Sequence, residues 1–256
     1  MNQTRLLNET FVKRVERHAV IGSTNDRAKE LAAGPLEELP VLIVADRQTA
    51  GRGRGKNTWW TGDGSLAFSL LVDLDALGIE RPRQSVVALA AGIATAEAVA
   101  AELPGRTVGI HWPNDIYAAG RKLAGILIES PRPGLQIVGI GINTNTSVAQ
   151  APIELQTTAT SLIDLSGRSH DHTEILIGLL NCLANQIERL RTEPAAVAAR
   201  ADALCLQHGC LLTLDQGDRQ FAGVCRGIAP DGGLLLDLAD GRRVFYSGVV
   251  VRTESG

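Results

Sequence analysis

Apolar and polar positions change their spacing several times along the chain. In "SLAFSLLVD", Leu66, Phe68, Leu70 and Val72 alternate with Ser65, Ala67 and Ser69. A period of two predicts a strand, and its small-residue face leaves room for something to lie on it. "VLIVAD" (Val41 to Asp46) is a short apolar run with branched residues, which reads as a buried strand. "TVGIHW", "IYAAG", "KLAGILIES" and "LQIVGIGIN" follow as further short strands. A Pro-Asn-Asp turn, Gly120 and Pro133-Gly134 separate them, so the pairing is expected to be antiparallel or mixed.

Between these strands the period lengthens to that of a helix. "STNDRAKELAAGP" begins with Ser23 or Thr24 as cap and ends at Gly34-Pro35. A helix from Arg81 to Leu103 is expected to open at Pro82. Asp171 and Glu174 form a capping-box pattern ahead of Leu176, Leu179, Leu180, Leu183, Ile187 and Leu190, which keep helical spacing. A second helix, Pro194 to Leu206, continues the pair. Beyond Cys205 the chain turns to short β-like runs punctuated by Gln216-Gly217, Asp231-Gly232-Gly233 and Asp240-Gly241. Four or five strands in that space predict a small barrel. The expected organisation is a mixed sheet packed with helices over residues 1–206, followed by a barrel over 207–256.

Composition narrows the class. At 256 residues the chain can form one sizeable domain, or one with a small companion. Aromatics are only 4%, so the core must be built from Ala, Val, Leu and Ile. The most apolar stretch, "VVALAAGIATAEAVAAEL", is interrupted by Gly92, Thr95 and Glu97, and reads as a packed internal helix rather than a membrane span. The N-terminus has no apolar core for a signal peptide. Cys182, Cys205, Cys210 and Cys225 form no C-x-x-C pair and have no histidine at zinc-ligand spacing, so reduced buried thiols in a reducing cytosol are expected, and no metal-ligating residues. A net charge of −3 argues against nucleic acid as the main partner.

Against that acidic background one segment stands out. "GRGRGK" (Gly51 to Lys56) lies directly after the Val41 to Asp46 strand, and Arg47 to Lys56 holds four cations and no acid. Glycine lets backbone N–H groups approach a ligand, and arginine offers planar donor forks suited to carboxylate and phosphate. The segment is either a lid that closes over an anion or a solvated basic turn. It lacks the Walker pattern of a nucleotide P-loop. Lys122 begins the apolar strand "KLAGILI", either snorkelling at its edge or aimed into a pocket. Asn114 and Asp115, held by Pro113, could face the same pocket. Gly139 and Gly141 thin the strand that ends at Asn143.

Taken together these stretches carry a resemblance. Ser-Thr-Asn at a helix head, GRGR followed by tryptophan, WPND-x-Y, RKLAGIL-x-E, G-x-GIN and a C-terminal RGI-x5-LLL, in that order from about Val20 to Val251, resemble the biotin protein ligases. The resemblance implies a mixed sheet with helices, like that of class II aminoacyl-tRNA synthetases, followed by an SH3-like barrel. It implies an ATP-dependent ligase that makes biotinyl-5'-AMP and transfers biotin to a lysine of a biotin carboxyl carrier protein, with magnesium on the leaving pyrophosphate. Family members that act as repressors begin with a DNA-binding domain. Here the central domain starts within the first 20 or so residues, so a form without that domain, cytoplasmic and free of nucleic acid and membrane, is expected. Relatives pair through sheet edges, which leaves a homodimer open.

By the same resemblance Ser23, Thr24, Asn25 and Gln48 would meet the biotin ureido ring. Gly51, Arg52, Gly53 and Arg54 would close over its carboxylate and the phosphate, Lys122 would bridge the two, and Gly125 would let the ligand lie on the strand. Trp59, Asn114 and Asn143 would join Arg52, Arg54 and Lys122 around ATP, Trp59 by stacking on adenine. Lys122, Arg52 and Asp115 would be catalytic, Asp115 orienting or deprotonating the incoming amine. Two departures bear on ATP. The family's common GRGRRGR-x-W reads "GRGRGKNTW" here, and the lysine usual before WPND is His111. A lipoate or octanoate ligase or transferase of the same superfamily, and a non-catalytic biotin or nucleotide sensor, are the alternative readings.

Overall fold

The computed structural model describes residues 1–36, 38–81 and 86–254. Seven strands form the larger sheet: β1 (Arg14–Ile21), β2 (Val41–Gln48), β3 (Leu66–Asp73), β4 (Val108–His111), β5 (Asp115–Ala118), β6 (Arg121–Arg132) and β7 (Leu135–Ile142). Their order is β1-β2-β3-β7-β6-β5-β4. Among the described residues, β1 and β2 are the one pair of neighbouring strands in it that run parallel, so the sheet is mixed, as expected. The helices are α1 (Gln3–Glu9), α2 (Thr24–Ala32), α3 (Val87–Glu102), α4 (Ile153–Gln156), α5 (Leu162–Ser166), α6 (His172–Thr192) and α7 (Pro194–Ala203).

The strand alternation sorts the sheet's two faces. Leu42 and Val44 of β2 join Leu66, Phe68, Leu70 and Val72 of β3 in the main core, with α3 and α6. Val41, Ile43 and Leu71 face the other way and pack with Ala28 and Ala32 of α2. Period-two chemistry thus feeds two cores from one strand. Helix α3 is buried on nearly every side, which explains its unbroken apolar composition. Pro82, expected to open that helix, lies outside the described residues. Asp171 caps α6, its Oδ1 accepting from the Thr173 N–H at 2.6 Å. Glu174 does not complete a capping box; it pairs with Arg5 and ties α6 to α1. The helix expected to reach Leu206 stops at Ala203, because Leu204 and Leu206 pair with Ile110 and cover the outer edge of β4.

The smaller sheet contains β8 (Leu211–Asp215), β9 (Gln220–Ile228), β10 (Leu234–Leu238), β11 (Gly241–Phe245) and β12 (Val249–Glu254), in the order β11-β10-β9-β8-β12 and antiparallel throughout. Five short strands match the small SH3-like unit expected. Its Leu212, Leu214, Cys225, Leu234 and Leu236 continue the main core through Val197, Ala201 and Cys205. All four cysteines are free, two buried and two half-buried. Among the described residues no helix is long and apolar enough to cross a membrane.

Candidate active site

A cavity of about 190 Å3 lies on the α2 side of the larger sheet. Its floor follows from strand register. Ala45, Ala67, Gly141, Gly125, Asp115 and His111 sit opposite one another in a single row across β2, β3, β7, β6, β5 and β4. The next row holds Ser69, Gly139 and Leu127. Directly paired residues share a face, so small side chains at the centre make a trough with Asp115 and His111 at one end.

The head of α2 closes one side. Ser23 caps the helix. The Thr24 N–H and hydroxyl both donate to Gln48 Oε1, at 2.8 and 3.1 Å. The Ser69 hydroxyl lies 2.8 Å from Thr24 Oγ1 and 2.5 Å from Asn25 Oδ1. This is the element that lies on the small face of β3. A side chain at Gly139 would collide with the Asn25 amide. The result is a set of neutral donors and acceptors, buried except for the half-buried Gln48, mutually satisfied and fixed in place.

The basic segment after β2 folds as a tight hairpin. Trp59 N–H donates to Gly51 O and Gly53 N–H to Asn57 O, both at 2.9 Å. Gly55 takes a left-handed φ of 61° at the tip. The cations do not splay into solvent together. Arg52 pairs with Asp26 at 2.8 Å and with Glu129 at 2.9 Å. Arg54 donates to Asn114 Oδ1 at 3.2 Å and to the Gly248 carbonyl at 2.8 Å. Lys56 stays exposed. The indole of Trp59 lies over Gly125 and Gly141, and Lys122 Nζ is 5.7 Å from its ring centroid.

Lys122 faces the cavity rather than snorkelling. Its Nζ pairs with Asp115 Oδ1 at 2.7 Å. Asn114 fixes the strand beneath: its carbonyl and its Nδ2 bond both backbone groups of Ile126, at 2.9 and 2.8 Å. His111 stacks on Tyr117 with ring centroids 4.6 Å apart. Burial pushes the His111 imidazole below its ordinary pKa; Asp115 opposes the shift and Lys122 adds to it. A neutral ring leaves the cavity without the cation that a lysine would bring there. Burial works against the charge of Glu129, but hydrogen bonds from Lys29, Asn25 and Arg52 outweigh it and hold that carboxyl below the usual range.

Ser23, Thr24, Asn25, Gln48, Arg52, Gly53, Arg54, Trp59, Asn114, Asp115, Lys122 and Gly125 all line the cavity. Two expected residues do not. Gly51 is buried behind it, where a side chain would strike the Trp59 carbonyl. Asn143, expected around ATP, is 5% exposed and turns its Nδ2 to the Thr160 carbonyl at 3.0 Å. Sequence reasoning gave no role to Asp26, Glu129, Tyr117 or Gln207, although Glu129 and Tyr117 stand inside the quoted motifs. Gln207 is 1% exposed and its Oε1 accepts from the Trp112 N–H at 2.7 Å. Val249 and Val250 bring β12 to the cavity wall, which no local signal in the chain announces. Among the described residues no group of three His, Cys, Asp or Glu could hold a metal ion.

A glycine-floored trough between neutral buried amides and three converging cations suits a small ligand with a polar head and an anionic tail. Residues 18–145 match the biotin/lipoate A/B protein ligase family, and residues 210–252 match the biotin protein ligase C-terminal domain. The chain belongs to the biotin protein ligase branch of that family. It is 34% identical to the biotin–[acetyl-CoA-carboxylase] ligase of Mycobacterium tuberculosis over 236 residues, 91% of this chain and 86% of that one. It is 32% identical to the bifunctional ligase/repressor BirA of Bacillus subtilis, over 90% of this chain and 71% of BirA. The biotin protein ligase from Aquifex aeolicus in complex with biotin and ATP superposes with a TM-score of 0.77 at 28% identity, covering 95% of this chain and 97% of that one.

Proposed function

We propose that this chain is an ATP-dependent biotin protein ligase that forms biotinyl-5'-AMP and passes the biotinyl group to a lysine of a biotin carboxyl carrier protein. The observation that carries the reading is the placement of Lys122, Arg52 and Arg54 around the trough whose other wall is the Thr24–Gln48–Ser69–Asn25 set. The match of residues 210–252 to a biotin-specific C-terminal domain favours biotin over lipoate or octanoate.

A free carboxylate does not acylate amines, so activation comes first. The biotin carboxylate attacks the α-phosphorus of ATP, the bond to pyrophosphate breaks, and a mixed anhydride remains. Negative charge gathers about the α-phosphate in that step. Fixed cations there are worth several kcal/mol, because they need no reorganisation. Lys122 supplies a compact charge between carboxylate and phosphate, and Arg52 and Arg54 supply forks from the hairpin above. The carrier lysine then attacks the acyl carbon and AMP leaves. Asp115, already beside Lys122, accepts the proton of the incoming amine. Magnesium is expected to arrive with the phosphates of ATP, since the described residues offer no dedicated cluster for it; no step is assigned to it. The absence of a membrane-spanning helix among the described residues is compatible with the cytoplasmic setting expected for such an enzyme. The outer edge of β1 is where a second copy would pair.

Mixing the protein with biotin and Mg-ATP should release pyrophosphate, and adding a biotin carboxyl carrier domain should discharge the adenylate as a biotinylated lysine. No biotin-dependent pyrophosphate release would overturn the reading.

A further inference from the structure

We propose that Glu129 is a positioning residue for the biotin carboxylate: its own carboxylate holds the Arg52 guanidinium at the cavity wall in one orientation, for a contact made in the bound substrate as much as in the transition state, and ties that orientation to Asn25 at the head of α2. The proposal rests on the function given above and adds a residue and a coupling to it.

Glu129 stands on β6 two positions beyond Leu127, so it points to the same face as Leu127 and Gly125. Its side chain is 19% exposed. Four donors converge on its two oxygens. Arg52 Nη2 reaches Oε1 at 2.9 Å and Arg52 Nη1 reaches Oε2 at 3.0 Å. Lys29 Nζ meets Oε1 at 2.8 Å and Asn25 Nδ2 meets Oε2 at 2.9 Å. A carboxylate has about four lone-pair sites, so Glu129 has none left for a substrate. It is therefore not a base or a ligand contact, and its effect must pass through the groups it binds.

The Arg52 side of the pair is unfinished. Its guanidinium carries five N–H donors. Glu129 takes two of them and Asp26 a third, at 2.8 Å from Nη1. Among the described residues, Nε and one N–H of Nη2 meet no acceptor, on a side chain that lines the cavity. A bidentate pair fixes the plane of a guanidinium, which a single contact cannot do. Asp26 alone would leave Arg52 free to pivot, on a hairpin that is itself rich in glycine. Beyond Asn25 the chain of bonds runs to Ser69 on β3, so the lid arginine is referenced to the rigid sheet rather than to its own loop.

Steady-state adenylate formation in wild type, Glu129→Gln, Arg52→Ala and the double variant tests the coupling. Glu129→Gln should raise KM for biotin about 10- to 100-fold, the scale of losing an orienting partner, with kcat within about threefold. Glu129→Asp, which keeps the charge on a shorter stem, should recover part of that loss. In the Arg52→Ala background, Glu129→Gln should change KM by no more than about twofold. Trypsin should also cut the ligand-free Glu129→Gln protein after Arg52 faster than wild type. An unchanged KM in Glu129→Gln, or effects that multiply in the double variant, would overturn the proposal. If Glu129→Gln does not fold, Glu129→Asp alone decides it, since an unchanged KM there refutes the clamp. An active wild type with an indifferent Glu129→Gln sinks this inference alone, whereas an inactive wild type sinks the functional reading and this inference with it.

Discussion

The indole of Trp59 lies against the backbone of Gly141. A methyl group added at Gly141 would clash with the indole, 2.8 Å from Cζ2 and closer still to Nε1 and Cε2. Gly125, paired with Gly141 across β6 and β7, has the same relation to the ring's other edge, with Cζ3 at 2.9 Å. Gly125 was expected to let a ligand lie on its strand, and Gly141 to thin the strand beside it. Both also clear room for the aromatic side chain of the chain's own lid, which therefore has a fixed resting place on rigid sheet.

Gly141→Ala should expel that indole. Overpacking of this kind costs about 1–3 kcal/mol, so chemical denaturation should show a lower midpoint, and tryptophan emission should shift as Trp59 gains water. Gly22→Ala, with nothing within 4 Å of the added methyl, is the matched control. Equal stability and emission in the two variants would contradict the stacking.

Lys122→Ala should lower single-turnover adenylate formation by at least ~100-fold while affecting biotin binding far less, because a charge between carboxylate and α-phosphate matters most in the transition state. Lys122→Arg should not restore the rate, since a planar fork cannot replace one compact charge. Near-normal turnover in either variant would remove Lys122 from the mechanism.

Stability should fall as pH drops from 7 to 5. Burial depresses the pKa values of His111 and His172 in the folded protein. Above about pH 6.5, the ordinary histidine value, both rings are neutral folded and unfolded. Below it the unfolded chain takes up protons first, so stability is lost until the pH passes below the folded values. His111→Asn should flatten the melting-temperature slope over that interval. The same slope in both proteins would mean that His111 carries none of it.

A chain ending at His208 would lose the Gly248 carbonyl that receives Arg54 and the Val249–Val250 wall of the cavity. It would also uncover Val197, Ala201 and Cys205, which share one core with the second sheet. Adenylate formation should drop by at least ~10-fold through weaker ATP use, as when a positioning contact is displaced, and the melting temperature should fall. Full ATP use and an unchanged melt would show that the two sheets work independently.

What the chain could reveal by itself was mainly periodic, though Glu174 left its local cap for Arg5 and α7 ended at Ala203 under tertiary pairing. Strand alternation at Leu66 to Val72 follows from a spacing that repeats within a few residues, as does the α6 stripe from Leu176 to Leu190. The Ser23 cap is written into its own turn. The motif residues were legible as a set because their order along the chain resembles that of the biotin protein ligases, each motif alone leaving a plainer reading open. Tertiary structure alone decided which groups meet. Arg52 finds Glu129 77 positions away, Arg54 finds Gly248 194 positions away, and Asn143 turns to Thr160 instead of the cavity. Twenty-eight acids could in principle have answered four clustered cations. Periodicity sets which face a residue occupies, but register, loop path and side-chain reach set its partner, and those depend on the whole packed sheet.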